Sequence, residues 1–430
     1  MALAARAAAA GVIAGVLAGR SLDALLAGAQ ARVAERDRPL LAQLCYGTLR
    51  LAPRLDALAG QLLDRPLRRK DRDVHALLLL GLYQLSDTRI PDHAAVAETV
   101  AATGDLGKPW ARGLLNAVLR RFQRERAELE AALAPAARAA HPDWLFAAMA
   151  AEWPDALDRL VAANNSQPPL TLRVNRQHLG RDAALAALAA AGIEASPGRL
   201  SEDAITLARP CPVEALPGFA EGDLSVQDEA AQLAAVLLAP RDGDRVLDAC
   251  AAPGGKACHL LELAPGCELT AMDVDAARLA RVRENLDRLG FSAQLVAGDA
   301  ADPALLDGSA PFDRILVDAP CSGSGVVRRH PDIKVLRRDA DAGQLAARQG
   351  AILAGCWARL APGGRLLYAT CSLLGAENDG VVGPFLAGHA DARECTPAVA
   401  GAERTTHGYQ LLPAVDGTDG LFYALLAKAS

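Results

Sequence analysis

Two cysteines close apolar runs that read as buried strands. Asp318-Ala319-Pro320-Cys321-Ser322-Gly323-Ser324-Gly325 follows the run Arg314–Val317, and Ala369-Thr370-Cys371-Ser372 follows Arg365–Tyr368. A buried cysteine is usually an inert small hydrophobe, so neither one alone says much. As a pair beside an aspartate they meet a specific chemical demand. Carbon 5 of a pyrimidine is a poor nucleophile. A thiolate that adds to C6 makes C5 enamine-like and able to attack a methyl donor. A carboxyl group at N3 stabilises the adduct, and a second group must help remove the C5 proton and expel the first thiol. A free thiol has a pKa of about 8.5, so such a site must raise the thiolate fraction. The residues alone do not decide which cysteine attacks.

A methyl donor needs its own cradle. Asp248-Ala249-Cys250-Ala251-Ala252-Pro253-Gly254-Gly255-Lys256 closes an earlier strand and opens a helix. Small side chains there let a ligand approach the backbone, and the first turn of the helix offers unpaired N–H groups. A P-loop would need glycine in place of Cys250 and Ser or Thr in place of Ala257, and the dinucleotide GxGxxG spacing is missing. Asp273 lies 18 residues after Gly255, near the spacing at which an acidic residue reaches a ribose. Asp299 ends the next strand. Singly these aspartates would be taken for helix caps. Three acidic strand ends in order, Asp273, Asp299 and Asp318, point instead to an adenosyl ligand without a phosphate chain.

The elements that must position these residues follow from periodicity. From Arg241 onward, apolar runs at Arg245–Asp248, Leu269–Met272, Gln294–Val296, Arg314–Val317 and Arg365–Tyr368 alternate with helical stretches at Ala276–Leu289 and Asp341–Leu360. This rhythm predicts an α/β, doubly wound, mostly parallel sheet with its ligands at the C-terminal strand ends. Residues 1–140 have helical periodicity throughout, with Pro66, Pro91, Gly104 and Gly107 between the helices. Between these two regions, Asn164–Pro169 reads as a polar linker. Thr171–Asn175, Asp182–Ala191 and Ala204–Ala208 suggest a small α+β insert. The expected division is therefore 1–140, 141–235 and 236–430.

Composition excludes several classes. The net charge of −6 argues against bulk electrostatic binding of nucleic acid. It is uneven, however: residues 1–150 hold 20 Lys+Arg against 15 Asp+Glu (+5), and the remainder holds 25 against 36 (−11). Any polyanion contact is therefore expected to be local. Nine cysteines without a CxxC pair fit neither a disulfide framework nor a zinc ribbon, and no metal is expected. The uncharged run Ala7–Gly19 is alanine- and glycine-rich and too short to span a bilayer, so it reads as the first helix of a soluble, cytoplasmic protein.

The motifs CAAPGGK, DAPCSGSG, RRHPDIK and YATCS, in this order and spacing, resemble those of the bacterial 16S rRNA cytosine-5 methyltransferase B family (RsmB, also called Sun or Fmu). LCYGTLR and LLNAVLRRF resemble that family's NusB-like helical RNA-binding domain, so the likeness covers essentially the whole chain. The resemblance implies an all-α NusB-like N-terminal domain, a small α+β middle subdomain and a Rossmann-like class I methyltransferase domain. It implies that Cys250, Ala251, Ala252, Pro253, Gly254, Gly255, Lys256, Asp273, Asp299 and Asp318 bind S-adenosyl-L-methionine. Asp273 would hold the ribose, Asp299 would lie on the adenine side, and Asp318 would sit between cofactor and base. Cys371 would be the nucleophile, and Cys321 would assist release.

The implied substrate is cytosine 967 of 16S rRNA, naked or in an early assembly intermediate, acted on by a monomer away from any membrane. Arg328, Arg329, Lys334, Arg337 and Arg338 follow the Cys321 loop and are expected to touch RNA phosphates. The target base must leave its stack to reach Cys371. Ala257 and Cys258 replace threonines common after GGK in the family, a departure expected to affect cofactor affinity more than mechanism. The rival readings are a cytosine-5 methyltransferase of tRNA or another RNA, and a non-catalytic RNA-binding or antitermination factor.

Overall fold

The first 166 residues are helical: α1 (Ala5–Val16), α2 (Leu22–Gln30), α3 (Arg38–Arg50), α4 (Ala52–Leu62), α5 (Arg72–Asp87), α6 (Asp92–Asp105), α7 (Ala111–Ala131), α8 (Pro135–Arg138), α9 (Asp143–Glu152) and α10 (Leu157–Asn165). The computed structural model describes residues 3–306, 308 and 310–430. α5 is apolar on nearly every face and forms the centre of this bundle, as such a helix must. The alanines of α1 and glycine at Gly47 of α3 let backbones close on α5. A Cβ at Gly47 would run into the ring of Tyr83.

The helical unit comprises Met1–Ser166 together with a second segment, Val327–Asp339. This segment is built into the bundle. The Asp332 carboxylate accepts from the Leu22 N–H (2.9 Å) at the start of α2, and Val335 and Leu336 pack on the core. Lys334 donates to the carbonyls of Arg50 (2.9 Å) and Ala140 (3.0 Å) and to Asn165 Oδ1 (2.6 Å). Burial, with the charges of Arg50 and Arg54 adding to it, pushes its pKa well below that of an ordinary lysine.

Two expectations change here. Arg328 and Lys334, expected at RNA phosphates, are buried at 0% and 3% exposure, and Arg50 donates to the Arg328 carbonyl (2.9 Å). Lys334 thereby ties together Arg50, Ala140 and Asn165 of the helical unit, because a buried cation must find acceptors within the chain. Arg329 and Arg337 are half-buried and Arg338 is exposed. The run read as a polar linker also begins inside the fold. Asn164 is fully buried, with its Nδ2 3.1 Å from His141 Nε2, and Asn165 Nδ2 donates to the Ala139 carbonyl (2.9 Å). The compact unit runs to Ser166.

The second unit comprises Gln167–Val326 and Ala340–Ser430. It opens with β1 (Thr171–Val174), α11 (Arg181–Ala190), β2 (Ala195–Pro197), β3 (Ala204–Leu207) and β4 (Leu224–Val226), an antiparallel sheet of order β2-β3-β1-β4. Next come α12 (Glu229–Leu238), β5 (Arg245–Asp248), α13 (Gly255–Leu263), β6 (Glu268–Asp273), α14 (Ala276–Leu289), β7 (Gln294–Ala297) and β8 (Phe312–Asp318). After the excursion to the helical unit, where α15 (Ile333–Leu336) lies, follow α16 (Asp339–Ala358), β9 (Leu360–Thr370), α17 (Asp379–Gly388), β10 (Ala392–Glu394), β11 (Glu403–Arg404), β12 (Tyr409–Leu411) and β13 (Leu421–Lys428).

The large sheet has the order β11-β12-β13-β9-β8-β5-β6-β7, with β10 on β13. β5 to β9 run parallel as expected, and β13 inserts antiparallel beside β9. Periodicity missed this C-terminal ribbon, because Leu421–Leu426 is buried on both faces and shows no alternation. The chain leaves β5 in one direction to β6 and β7 and in the other to β8 and β9. The topological switch point therefore lies at the end of β5. α12, α13 and α14 cover one face, and α16 and α17 the other.

Candidate active site

Parallel register sets the strand ends side by side. Asp248 pairs with Ala271 and with Leu316, Asp273 with Ala297, and Asp318 with Ala369. The loops after β5, β6, β7, β8 and β9 therefore emerge on one edge. They carry Cys250–Lys256, Asp273, Asp299, Asp318–Cys321 and Cys371, so the structure gathers every residue expected at the cofactor and the base.

The loop after β5 turns through a cis Ala252–Pro253 bond and Gly254 at φ +105°, where a side chain would be strained. A Cβ on Gly254 would also sit 3.1 Å from Val282 Cα on α14. α13 then starts at Gly255. The position of this turn is fixed from the small sheet. Arg173 on β1, fully buried, donates to the Gly255 carbonyl (2.8 Å) and to Glu262 through both Nε (2.7 Å) and Nη2 (2.6 Å). Burial raises the pKa of Glu262 despite that partner. Sequence reasoning passed over Arg173, because a single arginine in a short strand gives no sign of being buried.

Asp273 accepts from the Ala252 N–H (3.2 Å) and the Asp275 N–H (3.0 Å), and Arg278 lies 3.4 Å from its Oδ1. Asp299 receives both terminal nitrogens of Arg348 on α16 (2.9 and 2.5 Å), which lower its pKa. Asp248 is fully buried and neither carboxylate oxygen has a hydrogen-bond partner. Burial, reinforced by Asp318 and only partly offset by Lys256, pushes its pKa up to about 7. Lys256 Nζ donates to Asp318 Oδ2 at 2.6 Å. Burial would lower the lysine pKa, but Asp318, with help from Cys371 and Asp248, outweighs it and raises it.

The fit to S-adenosylmethionine rests on this edge. Asp248, Asp273, Asp299 and Asp318 form an acidic row at the switch point. Such a row suits a ligand with a diol, a cationic sulfonium and an ammonium group. The unpartnered carboxylate of Asp248 is the buried acceptor that such a cation would balance.

The two thiols meet on the other side of Asp318. Cys321 Sγ and Cys371 Sγ are 3.3 Å apart, and both cysteines are free. The contact with Cys371, followed by burial, raises the Cys321 pKa well above that of a free thiol. Either thiol can donate the hydrogen bond between the two sulfurs.

A buried carboxylate braces both loops. Glu377, at 0% exposure, accepts from the Ser322 N–H (2.8 Å), Ser322 Oγ (2.5 Å), Ser372 Oγ (2.5 Å) and Gln349 Nε2 (3.0 Å). Gln349 also donates to the Pro320 carbonyl (2.9 Å), and Tyr368 donates to the Glu377 carbonyl (2.7 Å). Each serine directly follows one of the cysteines, so Glu377 sets the spacing of the thiols. Sequence reasoning missed Glu377 and Gln349. One signal was present: paired Cys-Ser steps on adjacent strands place two hydroxyls where a common acceptor is required.

An acidic row at the switch point of a doubly wound sheet, with a small-residue loop and paired thiols beside it, defines an S-adenosylmethionine-dependent methyltransferase. Comparison with known proteins agrees. The family model "16S rRNA methyltransferase RsmB/F" matches residues 235–427, "Methyltr_RsmF/B-like, ferredoxin-like domain" residues 141–214, and "NusB family" residues 3–124. A protein of Pseudomonas putida named ribosomal RNA small subunit methyltransferase B is 55% identical over 98% of this chain and 98% of its own. The crystal structure of PH0851 has the same fold (TM-score 0.82, 22% identity, all of both chains). A methyltransferase homolog protein from Pyrococcus horikoshii gives a TM-score of 0.61 at 27% identity, over 69% of this chain and all of its own. The chain belongs to the ribosomal RNA small subunit methyltransferase B family.

Proposed function

We propose that this enzyme methylates carbon 5 of a cytosine in 16S rRNA, at the position equivalent to cytosine 967, through a covalent adduct between Cys371 and C6. The observation that carries this reading is the 3.3 Å approach of two thiols at adjacent strand ends, braced by one carboxylate and flanked by the Lys256–Asp318 pair. S-adenosylmethionine, held by Cys250–Lys256, Asp273 and Asp299, supplies an electrophilic methyl group.

The protein's own groups do the rest. Lys256, paired with Asp318 at 2.6 Å, lies within electrostatic reach of Cys371. The thiolate adds to C6 and forms the C–S bond. Asp318 with Lys256 supplies the hydrogen bond at N3 that holds the displaced electron pair. C5, now enamine-like, would take the methyl group as its bond to the sulfonium breaks; loss of the C5 proton to a base then re-forms the C5–C6 double bond and breaks the C–S bond. Cys321, close to the departing sulfur, assists that release. The enzyme acts in the cytoplasm, on naked rRNA or an early assembly intermediate, as a monomer. Among the described residues no helix is long and apolar enough to cross a membrane. Arg329, Arg337 and Arg338 remain the proposed phosphate contacts of the segment after the Cys321 loop.

Bisulfite sequencing of rRNA from cells lacking this protein tests the reading. One unmodified cytosine at the equivalent position is expected. An unchanged pattern, or methyl transfer in vitro to tRNA and not to rRNA, overturns it.

A further inference from the structure

We infer that the helical unit carries a stacking site for single-stranded RNA in the cleft between Trp110 and the loop Leu63–Asp71; this rests on the proposed rRNA substrate. The loop joins α4 to α5 and places Arg65, Arg68, Arg69 and Lys70 at the surface within six residues. Among the described residues none of these four cations has a salt-bridge partner. Asp71 accepts from Lys108 Nζ at 2.8 Å and feels Lys70 and Arg68 only at longer range, and Asp64 also lines the cleft, so the acids there are fewer than the cations. Lys108 also donates to the Lys70 carbonyl (3.2 Å) and so ties the loop to the turn that carries Trp110.

Trp110 is 55% exposed, the largest exposed apolar side chain among the described residues. It faces a cleft of about 610 Å³ lined also by Pro66, Leu67, Arg68, Lys70 and Leu114. A second cleft of about 570 Å³ on the other side of the loop shares Arg65 and Arg68 and adds Arg69 and Arg72.

Unpaired cations along one rim, with an exposed indole and an apolar floor, match what an unpaired nucleotide strand requires. Its phosphates need cations that are not already neutralised, and its bases need an aromatic face. A duplex fits less well, because its bases already stack on one another. An acidic protein segment would use the charges and leave the indole without a role.

Fluorescence anisotropy of the full-length protein with a labelled single-stranded RNA and with a duplex of the same sequence tests the site. Trp110→Ala is expected to weaken single-strand binding about 5- to 150-fold, in line with stacking worth about 1–3 kcal/mol per base. Trp110→Phe should keep most of the affinity. The double variant Arg68→Ala/Lys70→Ala should flatten the slope of log affinity against log salt by about 1.4, two single-strand phosphates' worth. All variants should melt with the wild type, since the substituted side chains are exposed. Unchanged affinity in Trp110→Ala overturns the site. So does a loss of binding to a ribosomal particle with none to naked RNA, which would mark a protein contact. The substrate reading fails separately, if wild-type enzyme puts no labelled methyl group into rRNA.

Discussion

The sulfur atoms of Cys321 and Cys371 lie 3.3 Å apart although 50 residues separate them in the chain. Their roles are distinguishable. Cys371→Ala removes the proposed attacking thiol and should abolish methyl transfer. Cys321→Ala leaves attack possible and slows release, so the protein should accumulate on RNA as a denaturant-resistant adduct, seen as a band shift in gels. Adduct with Cys371→Ala instead would reverse the assignment.

Glu377 offers a test of how tightly the thiol spacing is set. Glu377→Ala strands four buried donors and should destabilise the protein by about 2–5 kcal/mol. Glu377→Gln keeps the shape but brings N–H donors against the serine hydroxyls. It should lower kcat at least tenfold with little change in KM, because a displaced thiol affects the reacting atoms and not RNA binding. An unchanged kcat would make Glu377 a purely structural anchor.

Asp248 makes stability depend on pH. Its folded pKa of about 7 stands above the unfolded value of about 3.9. Below pH 4 the group is protonated in both states and costs nothing. As pH rises to 7 the unfolded chain ionises first, so folding loses stability, and above 7 the loss is complete. Burial sets this value first; Asp318 and Asp273 raise it further, and Lys256 and the Cys250 backbone N–H lower it. In the absence of cofactor, Asp248→Asn should therefore gain stability at pH 8, up to about 4 kcal/mol, and none at pH 4. Urea titrations at the two pH values measure the difference.

The motifs were legible where chemistry leaves a residue-type signature at a strand end: the Cys250–Lys256 loop, Asp273, Asp299, Asp318 and both cysteines. What supports them was not. Arg173, Arg348, Gln349 and Glu377 lie on elements with no motif, and their roles come from tertiary burial, which sequence periodicity does not report. The basic run after Cys321 shows the converse. Its composition suggested a solvent-facing phosphate contact, but Lys334 satisfies three acceptors inside the helical unit.

Lys334→Met should consequently cost about 2–4 kcal/mol of stability by stranding two carbonyls and Asn165 Oδ1. RNA affinity per folded molecule should not change. A fall in affinity with unaltered melting would restore Lys334 to the RNA-binding surface. Removing residues 1–140 is a poor substitute for such point variants, because it leaves the 327–339 segment without its partners.

Asp273→Ala should weaken S-adenosylmethionine binding by one to two orders of magnitude with little effect on RNA binding, as calorimetry and anisotropy would separately show. Loss of both together would indicate collapse of the β6 edge.

The inclusion of Val327–Asp339 in the helical unit has a consequence for synthesis. A ribosome making about 5–20 residues per second reaches this segment roughly 10–30 s after Ser166. During that interval the nascent bundle lacks Asp332 at the start of α2 and Lys334 under Arg50, Ala140 and Asn165. The N-terminal part of the protein is thus translated first but completed late, only after β5–β8, four of the nine strands of the large sheet, have also been made.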